Sequence, residues 1–258
     1  MHDGHRISIV IPAYNEAATI ASVVEDFRGH TAVDEVVVVD NNCKDETAAR
    51  AVEAGARVVA EPEPGYGCAL MRGMREAEGD WLVLVEADGS FSAADLEKLL
   101  CYLPDCGMVL GTRTTRQMVQ QGANMDFMLR WGNVMAAKIL QLLWYIPLEP
   151  RLTDVGCTYR ALTRRTFETI EPGLSESGPG FSPEMICEAM RHGLRVIEIP
   201  VHYGSRSGGS SSHSGNLAQV CRTALKMFKA IFRKRFTRRV PAATRGRPPA
   251  ETVLTEEA

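Results

Sequence analysis

Residues 81–91 read WLVLVEADGSF. Five apolar residues, Trp81 to Val85, run unbroken into Glu86 and Asp88, and Gly89 follows at once. A short apolar run bounded by a turn signal suits a strand buried on both faces. In an extended segment residues two apart face the same way, so Glu86 and Asp88 can turn their oxygens toward one cation. Gly89 lets the chain turn sharply beside them. Alone, a Glu-x-Asp pair is a weak signal, equally the polar end of a buried strand. Its meaning depends on the other strand ends.

Working outward, the same pattern recurs. Ile7–Ile11 (ISIVI) is a short apolar run ending at Pro12, Glu35–Val39 (EVVVV) ends at Asp40, and Arg57–Ala60 and Met108–Gly111 complete five predicted strands. Helical spacing fills the gaps: Asn15–Arg28, Asp45–Ala54, Gly67–Ala77 and Ala93–Leu103, the last with Ser92 as its N-cap. Strands alternating with helices over short connections predict an α/β fold with a mostly parallel sheet and right-handed crossovers. In such sheets ligands bind beyond the carboxyl ends of the strands. Polar clusters stand there: Tyr14-Asn15-Glu16, Asp40-Asn41-Asn42, Glu86-Ala87-Asp88 and Thr112-Arg113. Four together favour a site. Mg²⁺ or Mn²⁺ suits two hard carboxylates and would neutralise a diphosphate leaving group.

The second half is less regular. It predicts a long helix over Met125–Tyr145, strands over Val155–Ala161 and Val196–Tyr203, and helices near Arg164–Ile170 and Pro183–His192. Ser205–Gly215 (SRSGGSSSHSG) reads as a flexible polar loop and Asn216–Phe236 as a helix, with 237–258 as a disordered tail. The last helix is amphipathic by phase. Leu217, Cys221, Ala224, Leu225, Phe228, Ile231 and Phe232 fall on one side; Arg222, Lys226, Lys229 and Arg233 fall on the other. Such a helix suits a membrane interface, or packing on its own domain with the basic face in solvent.

Composition narrows the class. The 258 residues are 45% hydrophobic and 24% charged, as in a globular protein. The seven cysteines are odd in number and include no CxxC pair, which predicts reduced thiols in a cytoplasmic setting and no cysteine–zinc site. No signal-peptide pattern opens the chain. The net charge of −3 hides eight Lys/Arg and no Asp/Glu in residues 216–239, which leaves −11 on the rest. A basic arm on an acidic body predicts an anionic surface as partner. Nucleic acid is not expected, because Phe228 and Phe232 lie on the apolar side and offer no stacking platform.

SIVIPAYNE, EVVVVDNNCKDET, PGYGCALMRGM and WLVLVEADGSF, in that order, resemble the nucleotide-binding half of the family-2 glycosyltransferases with a GT-A fold. GTRTT, DVGCTYRAL and IPVHYGSRSGGSS resemble the dolichyl-phosphate mannose synthase-like branch, which uses polyprenyl-phosphate acceptors. The resemblance covers roughly residues 6–235. It implies one GT-A domain over 1–236, with a nucleotide-sugar half at 6–113, an acceptor half at 114–215 and the basic helix at 216–236. It places Pro12, Tyr14, Glu16, Asp40, Asn42, Gly67, Ala87 and Asp88 against a GDP- or UDP-sugar. Glu86, Asp88 and Ser90 would form the metal site. Arg113, Arg160 and Arg206 would hold phosphates of donor or acceptor, and Asp154 would lie beside the reacting centre. Glu86 stands where aspartate is usual, Cys43 where Ser or Gly is usual, and the final loop lacks the lysine common there.

The expected reaction passes a sugar to a polyprenyl (dolichyl- or undecaprenyl-type) phosphate with inversion at the cytoplasmic membrane face. Its transition state resembles an oxocarbenium ion. A phosphate acceptor is already anionic and needs positioning by Arg113, Arg160 or Arg206; a hydroxyl acceptor needs a base, for which Asp154 is the candidate, although it serves equally as a cap. The 205–215 loop, carrying Arg206 and His213, would close over the donor and exclude water. His192 and His202 are expected to be structural. Two other readings stay open: a transferase acting on a soluble hydroxyl, and a catalytically silent nucleotide-sugar-binding module.

Overall fold

The computed structural model describes residues 1–120, 127–144, 150–206 and 217–236. Its strands are β1 (Ile7–Ala13), β2 (Glu35–Asp40), β3 (Arg57–Ala60), β4 (Trp81–Leu84), β5 (Met108–Thr112), β6 (Arg160–Thr163) and β7 (Val196–Pro200). They join in one sheet, in the order β3-β2-β1-β4-β6-β5-β7. Every pairing is parallel except those of β6, which runs antiparallel to both β4 and β5. The strands read as solid apolar runs because both faces are covered. In β1, Ile7, Ile9 and Ile11 face one core while Val10 faces the other; Val36 and Val38 are divided from Val37 and Val39 in the same way.

The first core is closed by α1 (Ile20–Arg28), α2 (Thr47–Glu53) and α4 (Leu96–Leu100). The second is closed by α3 (Tyr66–Glu76), α5 (Phe127–Leu143), α6 (Arg164–Ile170), α7 (Phe181–Arg191) and α8 (Leu217–Phe236). In α1 the residues at helical spacing, Ile20, Val23, Val24 and Phe27, are the buried ones. Burying each such side chain favours folding by about 1.5–3 kcal/mol.

Several boundaries differ from expectation. The first helix starts at Ile20, not Asn15, because Asn15 takes a left-handed φ of 55° and residues 16–19 form a turn closed on Glu16 O. Ala93–Asp95 is a 3-10 turn whose Ser92 cap accepts from Ala94 N, and α4 begins only after it. β6 begins at Arg160 rather than Val155, and β7 ends at Pro200 rather than Tyr203. The 207–215 part of the polar loop, His213 and the 237–258 tail lie outside the described residues.

The antiparallel β6 has one decisive effect on the site. Arg160 at its start pairs with Leu84 of β4 and Leu110 of β5, near their carboxyl ends. The segment 154–159 that leads into β6 therefore lies where β4 and β5 deliver their polar residues.

α8 departs from the simple two-sided expectation. Met227, Ala230, Ile231 and Lys234 face the body and are buried, whereas Leu225, Phe232 and Phe236 face outward. Lys234 crosses to α7, where its Nζ stands 2.9 Å from Glu184 and 3.0 Å from Glu188.

Candidate active site

The chain leaves β4 through Val85, whose N–H still bonds Val10 O, and reaches Glu86 and Asp88. Gly89 follows with φ 73°, a left-handed turn that a side chain resists. Asp88 is nearly buried; its Oδ1 accepts from Ser90 N at 2.9 Å and from the Ser90 hydroxyl. Its Oδ2 lies 2.9 Å from Arg206 Nε, yet neither atom has an aligned hydrogen bond. A buried carboxylate oxygen without a hydrogen bond, beside a second acid, fits a hard cation. Among the described residues no three His, Cys, Asp or Glu side chains cluster for an ion. The two carboxylates would supply part of an ion's shell, which Mg²⁺ and Mn²⁺ commonly complete with substrate phosphate and water. Ser90, expected as a third ligand, gives its proton to Asp88, which leaves its oxygen lone pairs on the same side of the site as that acid.

Glu86 is half-buried and its Oε1 accepts from the Thr158 hydroxyl at 2.7 Å. Burial, and then the charge of Asp88, push its carboxyl up to about 7. Glu16, at the exit of β1, is raised by burial and again by Asp88, so the three acids share one electrostatic neighbourhood.

Arg113 follows β5. Its Nε and backbone N–H both donate to Asp154 Oδ2, at 2.8 and 3.1 Å, and Nη2 donates to Oδ1 at 2.9 Å. Gly156 N–H also reaches Asp154 Oδ1. Burial works against the guanidinium charge, but the Asp154 carboxylate more than offsets it and holds the Arg113 pKa well above its ordinary value. The guanidinium also lies over the Tyr203 ring, 5.3 Å from its centroid. Behind them, Glu198 of β7 accepts from Thr153 N and Asp154 N, fixing the segment that carries Asp154. Asp154 is 1% exposed with both oxygens engaged. It is the anchor of Arg113, which favours the capping reading of Asp154 over the general base.

Arg160 is a correction. It is 1% exposed, and its guanidinium donates to the carbonyls of Cys157 and Ser182. Burial lowers its pKa. The side chain braces the lead-in to β6 and α7 and does not face an acceptor phosphate.

The donor-side residues divide as well. Tyr14 is 57% exposed at the end of β1, open to a ring partner. Pro12 is paired with Val39 inside the sheet. Asp40 Oδ1 caps Cys43 N at 2.8 Å. Asn42, with φ 67°, donates to the carbonyls of Glu61 and Pro62. Its neighbour Asn41, named from sequence only as part of that strand-end cluster, bonds Glu61 O, Glu63 O and Gly65 N, and so pins the loop before α3. The Ala87 side chain belongs to the core, leaving only its backbone to face a ligand. Gly67 is explained by packing: its N–H bonds Ser177 O at 2.8 Å, and a Cβ there would collide with Glu176 O. Packing therefore accounts for the glycine without a nucleotide contact. Tyr66, Thr158 and Glu198 were also not singled out. Only Glu198 carried a sequence signal, as a lone acid inside the apolar run VIEIP.

An open, mostly parallel sheet with one reversed strand, and an acidic pair at the exit of its central strand, defines the GT-A class of sugar transferases. Glycosyl transferase family 2 matches residues 8–161. An uncharacterized glycosyltransferase of Mycobacterium tuberculosis is 33% identical over 88% of this chain and 99% of its own length. Undecaprenyl-phosphate mannosyltransferase of Micrococcus luteus is 30% identical over 82% of this chain and 89% of its own. Among solved structures, glucosyl-3-phosphoglycerate synthase from Mycobacterium tuberculosis, in complex with Mn²⁺, UDP and glucosyl-3-phosphoglycerate, shares the fold. It superposes with a TM-score of 0.70 at 21% identity, over 90% of this chain and 80% of that one. The chain belongs to glycosyl transferase family 2 and is a nucleotide-sugar glycosyltransferase.

Proposed function

We propose that the chain transfers a sugar, with inversion, from a nucleotide-diphosphate sugar to a polyprenyl phosphate at the cytoplasmic face of a membrane. The observation that carries this reading is the engagement of Asp154 by Arg113. A hydroxyl acceptor needs a base, and the expected candidate is spent on an ion pair. An acceptor whose oxygen is already anionic needs none. It needs a cation held in place, which Asp154 and Tyr203 supply by fixing Arg113. With Nε and one Nη2 proton given to Asp154, the Nη1 side of the guanidinium is the part that would meet a phosphate.

On the donor side, Asp88 and Glu86 would hold Mg²⁺ or Mn²⁺, which when bound stabilises the departing diphosphate. Arg206 stands beside Asp88, placed to share that charge. Tyr14 and Glu16 border the same end of the sheet and would receive the nucleoside, GDP- or UDP-linked.

The helical layer supports a lipid acceptor. No helix among the described residues is long and apolar enough to cross a membrane. Leu225, Phe232 and Phe236 of α8 are exposed, as are Trp131, Met135 and Leu142 of α5, which packs beside it. Neither helix contains an Asp or Glu, and Arg222, Lys226 and Lys229 are exposed on α8. Outward apolar side chains among cations suit an anionic lipid surface.

The test is an assay with UDP- and GDP-sugars, with and without Mn²⁺, offering polyprenyl phosphate, 3-phosphoglycerate or a plain sugar. Ion-dependent product on the lipid, together with sedimentation on anionic vesicles, is expected. Transfer to soluble acceptors alone, with no vesicle binding, would overturn the lipid acceptor. Donor binding without turnover on any acceptor would leave a silent module.

A further inference from the structure

Glu86 and Asp88 are held in matching ways. Each has one anchored oxygen. Asp88 Oδ1 takes the Ser90 hydroxyl and N–H; Glu86 Oε1 takes the Thr158 hydroxyl at 2.7 Å. Asp88 Oδ2 is left without a hydrogen bond, and on Glu86 the described residues anchor only Oε1. The supports differ in origin. Ser90 is two residues from Asp88, whereas Thr158 comes from the lead-in to β6, 72 residues away.

Thr158 is itself held. Its Oγ lies 2.6 Å from the Tyr66 hydroxyl in the first turn of α3, and Tyr66 in turn stands 3.4 Å from Ser182 Oγ. A threonine hydroxyl has one proton. Thr158 gives that proton to Glu86, so Tyr66 must donate to Thr158. The chain therefore runs one way, from Tyr66 to Thr158 to Glu86. It links α3, the β6 lead-in and the exit of β4.

Glu86 has one more rotatable bond than an aspartate and more conformational freedom to lose when it binds. We infer that Thr158, backed by Tyr66, is a positioning residue that fixes the Glu86 carboxylate with its free oxygen turned toward the ion shared with Asp88. The inference rests on the ion-binding role proposed above for that acidic pair. Thr158 does not touch the ion. It acts through Glu86, as hydrogen-bond partners behind a ligand do.

The experiment measures Mn²⁺ affinity by electron paramagnetic resonance of the free ion, in the presence of UDP, on the full chain. Thr158→Val is expected to weaken binding by about tenfold or more, and Thr158→Ser to restore it. Tyr66→Phe removes the donor behind Thr158 and is expected to weaken binding by less; it also stands in if the valine variant does not fold. The deciding arm repeats Thr158→Val in a Glu86→Asp background. The shorter acid cannot reach the Thr158 hydroxyl, so the second substitution should add nothing there. A merely structural role for Thr158 would weaken both backgrounds alike, and that result overturns the inference. So does unchanged affinity in Thr158→Val. If the unsubstituted chain fails to bind Mn²⁺ with UDP, the ion-binding reading itself falls.

Discussion

Arg113 and Asp154 form a two-pronged ion pair inside the protein, Nε to Oδ2 at 2.8 Å and Nη2 to Oδ1 at 2.9 Å. Asp154 is as much a part of the arginine's placement as the strand that carries it. Asp154→Ala should leave a guanidinium buried without its counter-charge, at a cost of about 3–5 kcal/mol. Urea unfolding measures this. Arg113→Gln should instead lower kcat by about a hundredfold or more while donor affinity is kept. Full turnover in Arg113→Gln would remove that residue from the acceptor site.

Asp88 and Glu86 are each anchored through one oxygen, but they differ in burial. The unanchored oxygen of Asp88 is buried beside Arg206, whereas Glu86 is half-buried on a longer side chain. Asp88→Asn should therefore lose the larger share of Mn²⁺ affinity, and Glu86→Gln the smaller. Calorimetry with Mn²⁺ and UDP ranks the two. Equal full activity in both variants would remove the metal clamp.

Gly67 separates packing from binding. Gly67→Ala places a methyl against Glu176 O, where the backbone must give way. A lower Tm is expected, with nucleotide affinity of the folded fraction unchanged. Tighter coupling, in which affinity falls while Tm holds, would return Gly67 to the nucleotide.

Acid should loosen α8 before the sheet. Burial acts to raise the Glu184 pKa, but Ser175 N–H, Lys234 and Glu176 N–H outweigh it and leave it lowered. A depressed carboxyl contributes stability that is fully present above its unfolded value, near 4.3, and is lost as pH falls through the folded value. Hydrogen exchange in 217–236 should rise as pH drops below about 4. Glu184→Gln should flatten that dependence.

The first five strands were legible because they obey local rules. Apolar runs ending in Pro12, Asp40 and Glu86 mark strands covered on both faces, and the polar ends mark a site. What sequence spacing did not carry was contact across long separations. The resemblance made Arg160 a candidate phosphate ligand, with a solvated face as the alternative, and it is neither. Its burial depends on β6 entering between β4 and β5, which no local pattern announces. Likewise Asp154 read equally as a base or a cap until Arg113, 41 residues away, closed on it. Thr158 and Tyr66 are ordinary hydroxyl residues until the fold places them 2.6 Å apart. The phase count on α8 found its periodicity but put Ile231 and Phe232 on one side, whereas packing splits them.

The reversed β6 also sets an order of events during synthesis. A ribosome-bound chain ending near residue 113 can pair β3, β2, β1 and β4, but β5 has no partner among them, since it pairs only with β6 and β7. One side of β4 then stays open, an edge that invites mispairing. Glu86 still lacks Thr158, and Arg113 lacks Asp154. The carboxylates and the guanidinium of the strand ends are thus in the chain before the groups that hold them. β6 brings Asp154 and Thr158 to the site, and Glu198, Tyr203 and Arg206 join it only with β7 and the residues after it.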